Sequence, residues 1–232
     1  MQTNIRKFIS DLFYESKLTD SPNKDYIEKI NTNPFYSIID INKNFSFFDL
    51  SFTEESFDNI KKSYYNLKEI DFVYFLIKKI NSELKFINKE TQYKYAVITP
   101  YQAQVKKFKD EKYKYNEFNY LDIAINTVDS FQGQERDIVL FSTVRANNNK
   151  NDSNNNPAND VIGFLNDFRR MNVALSRAKL GCFIVGNSQK FKNDNYWGKL
   201  INFCKEKKSF FNINSTNDFK KGIENIFLDK YK

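Results

Sequence analysis

The stretch YAVITPYQAQVKKFK, residues 95–109, decides the fold, because it passes from a strand into a helix with almost no loop between them. Tyr95 to Thr99 form an apolar run that predicts a buried strand. Pro100 suits the first turn of a helix, which we expect to continue to about Lys112. A strand that leads directly into a helix is one half of a β-α-β unit, so the stretch predicts a parallel sheet covered by helices.

Strands and helices alternate on both sides of this stretch. Toward the amino terminus, apolar residues at spacings of three and four predict a long helix over residues 67–87. Toward the carboxyl terminus we predict strands at residues 123–128 and 138–144, a helix at 167–179, a strand at 182–185 and a helix at 197–205. The alternation predicts an α/β fold with a mostly parallel sheet and helices on both faces, in which ligands bind at the carboxyl ends of the strands.

The two remaining regions are less regular. Apolar residues up to Glu15 form a helical stripe, followed by a polar segment that ends near Pro34 and a predicted strand at residues 35–41. Residues 147–159 are rich in asparagine, so we predict a surface insertion in a loop. A plain expansion of the loop is the simpler interpretation, and a binding role is the alternative. We expect residues 1–232 to form one domain, with residues 1–34 as a partial amino-terminal edge.

Composition narrows the possible chemistry. The chain has no histidine, which excludes Ser-His-Asp and Cys-His catalysis and the HExxH zinc motif. Cys182 and Cys204 have neither the spacing of metal ligands nor a disulfide framework around them, so we predict reduced core residues and no metal site. The formal net charge of +7 favours a polyanionic partner. No signal peptide is recognisable and no apolar run approaches about 18 residues, so we expect an intracellular protein without a membrane partner.

Five of the six arginines lie between residues 136 and 177, whereas lysine supplies most of the positive charge elsewhere. A guanidinium group binds phosphate through parallel hydrogen bonds, so the cluster indicates a phosphate site. In FRRMNVALSRAK, residues 168–179, helical geometry predicts a basic face and an apolar face. The basic face carries Arg170, Ala174 and Arg177, and the apolar face carries Phe168, Met171, Leu175 and Ala178. The basic face is either a solvated surface or one wall of a cleft, and the small alanine between two arginines favours the cleft.

A polar turn separates two strand-like runs in INTVDSFQGQERDIVLFSTVR, residues 125–145. Gly133 permits the close approach of a backbone, Glu135 can accept hydrogen bonds from sugar hydroxyls, and Thr127 can bind phosphate. An ordinary glycine turn is the alternative interpretation of this segment.

Tyr101 and Gln102 follow the strand that ends at Thr99, and ligands of parallel sheets bind at this edge. Tyr101 either stacks on a base or covers the core, and the second interpretation is the simpler one. We expect the three segments around Tyr101, Gly133 and Arg170 to converge on one edge of the sheet.

Three segments resemble successive motifs of superfamily 1 helicases, in the senataxin-like and nonsense-mediated-decay group. They are AVITPYQAQ (96–104), VDSFQGQERDIVLFSTVRAN (128–147) and IGFLNDFRRMNVALSRAKLGCFIVGN (162–187). The tail NYWGKLINFCKEKK, residues 195–208, resembles the helix that follows the last motif of that family. The likeness covers most of the chain and is weakest between residues 20 and 67. It implies the second, carboxyl-terminal RecA-like domain of a helicase, a fold of the P-loop NTPase class without a P-loop of its own.

The resemblance also implies roles for individual residues. Arg177 resembles the arginine finger that stabilises charge on the γ-phosphate during phosphoryl transfer. Gly133, Glu135 and Arg170 would contact the nucleotide. The residues implied to grip a single strand of nucleic acid are Thr99, Pro100, Tyr101, Gln102, Thr127, Val128, Asp129 and Arg145.

Half of the ATP site of such helicases has no counterpart in this chain. None of the six glycines begins a GxxxxGK[ST] loop, and the fragment Gly198-Lys199-Leu200 lacks both the hydroxyl and the preceding glycine. The DExx-type acidic motif that holds magnesium in the first RecA-like domain of the family also has no counterpart. We therefore expect ATP and Mg²⁺ to bind only together with a first, amino-terminal RecA-like domain supplied in cis or in trans. By itself the chain is not expected to hydrolyse ATP.

The first residues, MQTN, resemble the YRMHP motif of the family from its methionine onward, with Gln2 and Thr3 in place of histidine and proline. This start inside a motif predicts a fragment, a split gene model or a truncated product. The main hypothesis is the motor domain of an ATP-dependent nucleic-acid helicase. The alternatives are a non-catalytic module that binds single-stranded nucleic acid and a truncated helicase remnant. The resemblance favours RNA over DNA and the nucleus over the cytoplasm.

Overall fold

The computed structural model describes residues 1–87, 91–112, 118, 120–146 and 163–229. The strands in chain order are β1 (Phe45–Asp49), β2 (Ser56–Asp58), β3 (Ser63–Tyr65), β4 (Tyr95–Thr99), β5 (Ile123–Thr127), β6 (Arg136–Ser142), β7 (Ala178–Gly186) and β8 (Phe210–Asn212). Strands β2 and β3 form an antiparallel hairpin, and the other six form one sheet in the order β5-β4-β6-β7-β1-β8. All neighbours within the six-stranded sheet are parallel.

Helices cover both faces of this sheet. They are α1 (Thr3–Phe13), α2 (Lys24–Asn31), α3 (Leu67–Ile87), α4 (Gln102–Lys112), α5 (Phe168–Leu175), α6 (Ser188–Phe191), α7 (Asn195–Glu206) and α8 (Phe219–Glu224). Successive residues of a strand point to opposite faces. In β6, Leu140 therefore packs in one apolar core with α3, α4 and α8, whereas Val139 and Phe141 pack in a second core with α1, α5 and α7. The predicted α/β fold is confirmed, and it is consistent with a RecA-like domain.

Two elements have the bounds predicted from the sequence, namely the helix at residues 67–87 and the strand at residues 95–99. Asn66 defines the start of α3, because its side-chain oxygen accepts the backbone N–H groups of Lys68 and Glu69. Local periodicity and a local cap are therefore sufficient to specify this helix. The predictions for β5, β6 and α7 are right in kind, with ends that differ by a few residues.

The strand predicted at residues 35–41 is wrong. Pro34 to Ser37 form a 3₁₀ turn, which begins where the Asn33 side chain accepts the N–H of Phe35. Phe35 lies in this turn and is nevertheless buried in the core. An apolar run that resembles a strand can therefore also belong to a turn that packs against the core. The strand of this region is β1, which was not predicted and begins at Phe45. The sequence also did not predict the hairpin of β2 and β3 or the short edge strand β8.

The helix predicted at residues 167–179 is too long, and the basic face derived from it is wrong. Helix α5 ends at Leu175, and β7 starts soon afterwards. Arg177 lies between them, where its carbonyl accepts the N–H of Arg136 at 2.9 Å and so joins the pairing of β6 with β7. Ala174 is completely buried and does not border a cleft. Sheet pairing therefore ends the helix earlier than its periodicity indicated.

The asparagine-rich insertion predicted at residues 147–159 lies outside the described residues. Within the described part of the chain, no helix combines the length and the apolar character needed to span a membrane.

Candidate nucleic-acid cleft and nucleotide edge

The residues predicted to bind ligands lie at two opposite edges of the sheet. Thr99 and Thr127 are the last residues of β4 and β5, so the segments that follow them lie at the carboxyl edge. The turn at residues 133–135 comes directly before β6, and Arg177 comes directly before β7, so both lie at the amino edge. The prediction that all three segments converge on one edge is therefore wrong for Gly133, although residues 100–102, residues 127–129 and Arg170 do meet at the carboxyl edge. Because neighbouring strands are parallel, the chain returns to the amino edge before β6 and before β7, and this return places Gly133 and Arg177 there.

A cleft with a volume of about 370 Å³ opens at the carboxyl edge. Its lining includes Pro100, Tyr101, Gln102, Thr127, Val128, Asp129 and Arg145, together with Lys61, Lys62, Ser63, Tyr64 and Arg170. The first seven were predicted from the sequence to grip a single strand. Thr99, which was predicted with them, is fully buried at the end of β4 and does not line the cleft.

Tyr101 lines the cleft but is only 4% exposed. Its ring meets the ring of Tyr64 edge-on, with 5.9 Å between the centroids. Burial raises the pKa of Tyr101, against the lowering effect of its hydrogen bond with Arg145. These contacts favour the interpretation in which Tyr101 covers the core, because little of its ring is left for a base to stack on.

Arg170 and Asp129 form an ion pair on the wall of the cleft. Nε of Arg170 donates to Oδ1 of Asp129 at 3.1 Å, and Nη2 donates to Oδ2 at 3.3 Å. The two side chains are 32% and 68% exposed, and exposed pairs of this kind contribute at most about 1 kcal/mol. An anionic ligand in the cleft would therefore displace Asp129 from the guanidinium at little cost. Arg170 therefore lies in the carboxyl-edge cleft. The helix predicted at residues 167–179 would have placed it on one face with Arg177.

Arg145 reaches the same cleft from beyond the end of β6, but it is 5% exposed. Its Nε donates to Oε2 of Glu55 at 2.8 Å, and its guanidinium carbon lies 4.3 Å from the centre of the Tyr64 ring. The same Glu55 oxygen accepts the N–H of Ala146 at 2.7 Å. A buried charge with these partners is held firmly, so Arg145 ties the β2–β3 hairpin to the end of β6.

A buried polar network supports the wall behind Arg145. One oxygen of the fully buried Glu69 accepts hydrogen bonds from Ser142 Oγ at 2.6 Å and from the N–H of Val144 at 3.0 Å. Gln104 Nε2 donates to the same serine oxygen at 3.0 Å. Val144 has a φ of 70°, which is unusual for a β-branched residue. Burial raises the pKa of Glu69 to about 8, although both hydrogen bonds act to lower it.

The amino edge contains Gly133, Glu135 and Arg177, whereas Arg170, the third residue predicted to contact a nucleotide, lies in the carboxyl-edge cleft. The Arg177 guanidinium donates to the Val173 carbonyl at 2.9 Å, to the Ser176 hydroxyl at 2.8 Å and to the Gln134 carbonyl at 3.4 Å. All three acceptors are neutral. Gly133, in the same turn as Gln134, has a φ of 78°, a left-handed conformation that glycine adopts without strain. The fold therefore brings Arg177 into contact with the turn that carries Gly133.

Glu135 lies at the amino edge beside the first residues of the chain. Its carboxylate is 3.9 Å from the ammonium group of Lys179. Burial lowers the pKa of the Met1 amino group, and the negative charge of Glu135 opposes that shift. The N–H of Gln2 donates to the Lys179 carbonyl at 2.8 Å. The edge is therefore assembled from the start of the chain, the turn before β6 and the start of β7.

Two groups of residues around the cleft were not predicted from the sequence. The first is the hairpin wall, whose signal is the basic and aromatic run IKKSYYN at residues 60–66. The second is the buried network, whose signal is the pair Asn66 and Glu69 at the start of α3. Neither signal is specific, because exposed lysines and helix-capping asparagines are common in proteins of every function.

Comparison with known proteins connects this architecture to a family. The family described as "AAA domain" matches residues 1–189. Helicase SEN1 of Saccharomyces cerevisiae is 33% identical over 214 residues, which cover 89% of this chain and 9% of that protein. Probable helicase MAGATAMA 3 of Arabidopsis thaliana is 33% identical over 232 residues, which cover 99% of this chain and 26% of that protein.

The "Regulator of nonsense transcripts 1 homolog" of Drosophila melanogaster is 40% identical over 115 residues, which cover 48% of this chain and 9% of that protein. The chain thus spans 9% to 26% of the length of these relatives. The family match covers most of the chain, and the relatives that match along nearly its whole length are named helicases. The chain therefore belongs to the AAA domain family, and it is similar to one part of proteins that are named helicases.

Proposed function

We propose that this chain is the second, carboxyl-terminal RecA-like domain of an ATP-dependent helicase, and that its carboxyl-edge cleft grips a single strand of nucleic acid. One observation carries the proposal. Every residue predicted to grip the strand, except Thr99, lines that one cleft. These residues come from three segments that are far apart in the sequence, so their meeting in one cleft is a property of the fold.

The chemistry of the cleft suits the sugar-phosphate backbone of a strand. Gln102 is exposed and offers an amide, and the Thr127 hydroxyl lies 3.0 Å from the Ser130 hydroxyl. Arg170 can exchange the carboxylate of Asp129 for a phosphate, since both groups present oxygen atoms to its fork of donors. Such contacts set the position of a strand without reading its sequence. A motor that moves along a strand requires this kind of grip.

RNA is the favoured strand, because one relative is named as a regulator of nonsense transcripts. RNA differs from DNA by the 2′-hydroxyl, which both donates and accepts hydrogen bonds. The exposed amide of Gln102 is suited to meet such a group. Residence in the nucleus is a further part of the proposal and rests on the resemblance alone.

We assign Arg177 the role of the arginine finger, with Gly133 and Glu135 beside the nucleotide. The support is that Arg177 has three neutral acceptors, which a negatively charged phosphate can replace. ATP and Mg²⁺ would be held mainly by the first RecA-like domain, since this chain has no GxxxxGK[ST] loop. The chemistry would be hydrolysis of the γ-phosphate, to which Arg177 contributes positive charge in the transition state.

A non-catalytic module that binds single-stranded nucleic acid is the second candidate. The missing P-loop favours it, because the chain can then bind a strand but cannot cradle a triphosphate by itself. A truncated remnant of a helicase would share this property.

The test is the rate of magnesium-ATP hydrolysis with and without single-stranded RNA. The chain is measured alone and after fusion to a preceding RecA-like domain that carries a P-loop. We expect hydrolysis only in the fused protein, with stimulation by RNA. Strand binding without hydrolysis in either protein would support the non-catalytic module. Hydrolysis by the chain alone would contradict both candidates.

A further inference from the structure

We propose that the β2–β3 hairpin is a phosphate-binding wall of the cleft, and that Lys61 and Lys62 contact the backbone of a bound nucleic-acid strand. The inference rests on the proposed function of the cleft and adds residues that the family resemblance did not indicate. Both lysines line the cleft together with the segments at residues 100–102 and 127–129.

The two lysines carry the positive charge in the cleft that is not already committed to a carboxylate. Arg145 is paired with Glu55, and Arg170 is paired with Asp129. Lys61 and Lys62 are both exposed, and within the described ranges neither ammonium group forms an ion pair. A net positive wall therefore faces a cleft whose arginines are neutralised.

The charges of Asp58 and Lys61 attract each other, but the Asp58 carboxylate makes its hydrogen bonds to the backbone of the turn. It accepts the N–H groups of Ile60 and Lys61, both at 2.9 Å. The hydrogen bond from the N–H of Lys61, and to a smaller extent that from Ile60, lowers the pKa of Asp58. The turn that presents the lysines is thus closed by its own side chain, and the lysine ammonium groups remain available.

The hairpin is anchored to the rest of the cleft on both strands. Arg145 bonds Glu55 before β2 and stacks on Tyr64 in β3. Ser63 Oγ accepts the N–H of Ala103 at 3.2 Å, which attaches β3 to the start of α4. A wall fixed in this way loses little conformational freedom when a strand binds. The buried Arg145 therefore acts by positioning the hairpin, and the lysines make the contact.

Lys62 has a backbone conformation that a glycine would adopt more easily. Its φ is 48°, in the left-handed region that residues with a Cβ adopt only at a cost. Hairpin turns with such a position usually contain glycine, asparagine or aspartate there. A strained residue at the rim of a cleft points to a functional use of its side chain. For Lys62 that use is a charge directed at phosphate, which lysine binds as a point charge without sequence preference.

The experiment measures binding of a fluorescein-labelled oligouridylate to this chain by fluorescence anisotropy at several salt concentrations. The test variant is Lys61→Ala with Lys62→Ala. The control is Lys85→Ala with Lys94→Ala, which removes the same charge from two exposed lysines, in the last turn of α3 and directly before β4. For a single strand, each phosphate contact contributes about 0.7 to the slope of log K against log salt.

We expect the test variant to bind about 20-fold more weakly than the parent at about 0.1 M salt, with a slope that is shallower by about 1.4. The control variant should retain the slope of the parent protein. Lys62→Gly separates charge from structure, because it should weaken binding about fivefold while the melting temperature stays the same or rises. A purely structural role for Lys62 would instead leave binding unchanged in this variant.

Two further variants distinguish failure of the hairpin proposal from failure of the cleft. Gln102→Ala and Thr127→Val remove groups from the part of the cleft predicted by the family resemblance. If they weaken binding while the lysine variants do not, the hairpin proposal is overturned and the proposed function stands. If the parent chain binds neither an RNA strand nor a DNA strand, alone or fused to the first domain, both the hairpin proposal and the proposed function are overturned.

Discussion

Arg145 and Arg170 at the carboxyl edge have surroundings opposite to those of Arg177 at the amino edge. At the carboxyl edge, Arg145 and Arg170 are each bonded to a carboxylate. At the amino edge, Arg177 is bonded to two carbonyls and a hydroxyl, and among the described residues it has no carboxylate partner. A charged acceptor binds a guanidinium about twice as strongly as a neutral one. Arginines that are clustered in the sequence can therefore have different functions, which depend on the partner that each guanidinium binds.

This difference assigns a separate task to each arginine. Arg177 can exchange its neutral acceptors for a phosphate with a gain in electrostatic energy. Arg145 is nearly inaccessible and fixes the hairpin wall. Arg170 lies between these cases, because its partner Asp129 is exposed and screened by solvent. Three predictions test this ranking, and a fourth tests the buried network behind Arg145.

The largest effect is expected for Arg177. In the protein fused to a P-loop domain, Arg177→Ala should lower the rate of RNA-stimulated ATP hydrolysis by about 10³-fold or more. The stability of the domain should change by less than about 1 kcal/mol, since the lost hydrogen bonds go to neutral, partly exposed groups. Steady-state hydrolysis and urea unfolding give the two values. Arg169→Ala is the matched control, because Arg169 is exposed and contacts only the ring of Phe168, at 5.6 Å, among the contacts described for its guanidinium.

The next largest effect is expected for the buried pair. Glu55→Ala leaves Arg145 buried without its carboxylate, which should lower the free energy of unfolding by about 3–5 kcal/mol. Urea unfolding measures the loss. The double variant Glu55→Leu with Arg145→Met should be more stable than Glu55→Ala, because it buries no unpaired charge. A loss below about 1 kcal/mol in Glu55→Ala would show that the pair is not buried as described.

The third effect is a pH dependence that comes from Glu69. Because burial raises its pKa from the ordinary value of 4.5 to about 8, the folded chain binds more protons than the unfolded chain between these pH values. The free energy of unfolding should therefore fall as pH rises through this window, by at most about 1.4 kcal/mol per pH unit. Thermal or urea unfolding at several pH values measures the slope.

Glu69→Gln is the control for this slope, because it keeps the shape of the side chain and cannot ionise. The chain has no histidine, so few other groups titrate in the same range. The Met1 amino group does so with a lowered pKa, and its effect has the opposite sign and is shared by both proteins. Identical slopes in the parent and in Glu69→Gln would contradict the assignment.

The smallest effect is expected for the exposed pair. Asp129→Asn should change the free energy of unfolding by no more than about 1 kcal/mol. It should also leave Arg170 more available, so that binding of single-stranded RNA strengthens or stays the same. Fluorescence anisotropy and urea unfolding measure the two effects. Weaker binding in Asp129→Asn would indicate that the aspartate itself contacts the strand, for example through a sugar hydroxyl.

Local sequence was sufficient for elements that carry their own signals. Helix α3 has an uninterrupted apolar stripe and an asparagine cap, and β4 is a short apolar run next to a proline. Local sequence was insufficient where one pattern of apolar residues is compatible with two kinds of local structure. The apolar residues around Phe35 suit a strand or a buried turn, and only the packing of that turn in the core selects between them.

For the functional residues, the sequence by itself determined the α/β class, the absence of a P-loop and the membership of most of the cleft. Those residues follow strands directly, so the parallel sheet aligns them. Only the tertiary structure decided which arginines are available, since Glu55 and Asp129 are distant in sequence from the guanidinium groups they bind. It also decided that Arg177 and Arg170 lie at opposite edges. The physical reason is that ion pairing and burial depend on distances in space, whereas periodicity and caps depend on neighbours along the chain.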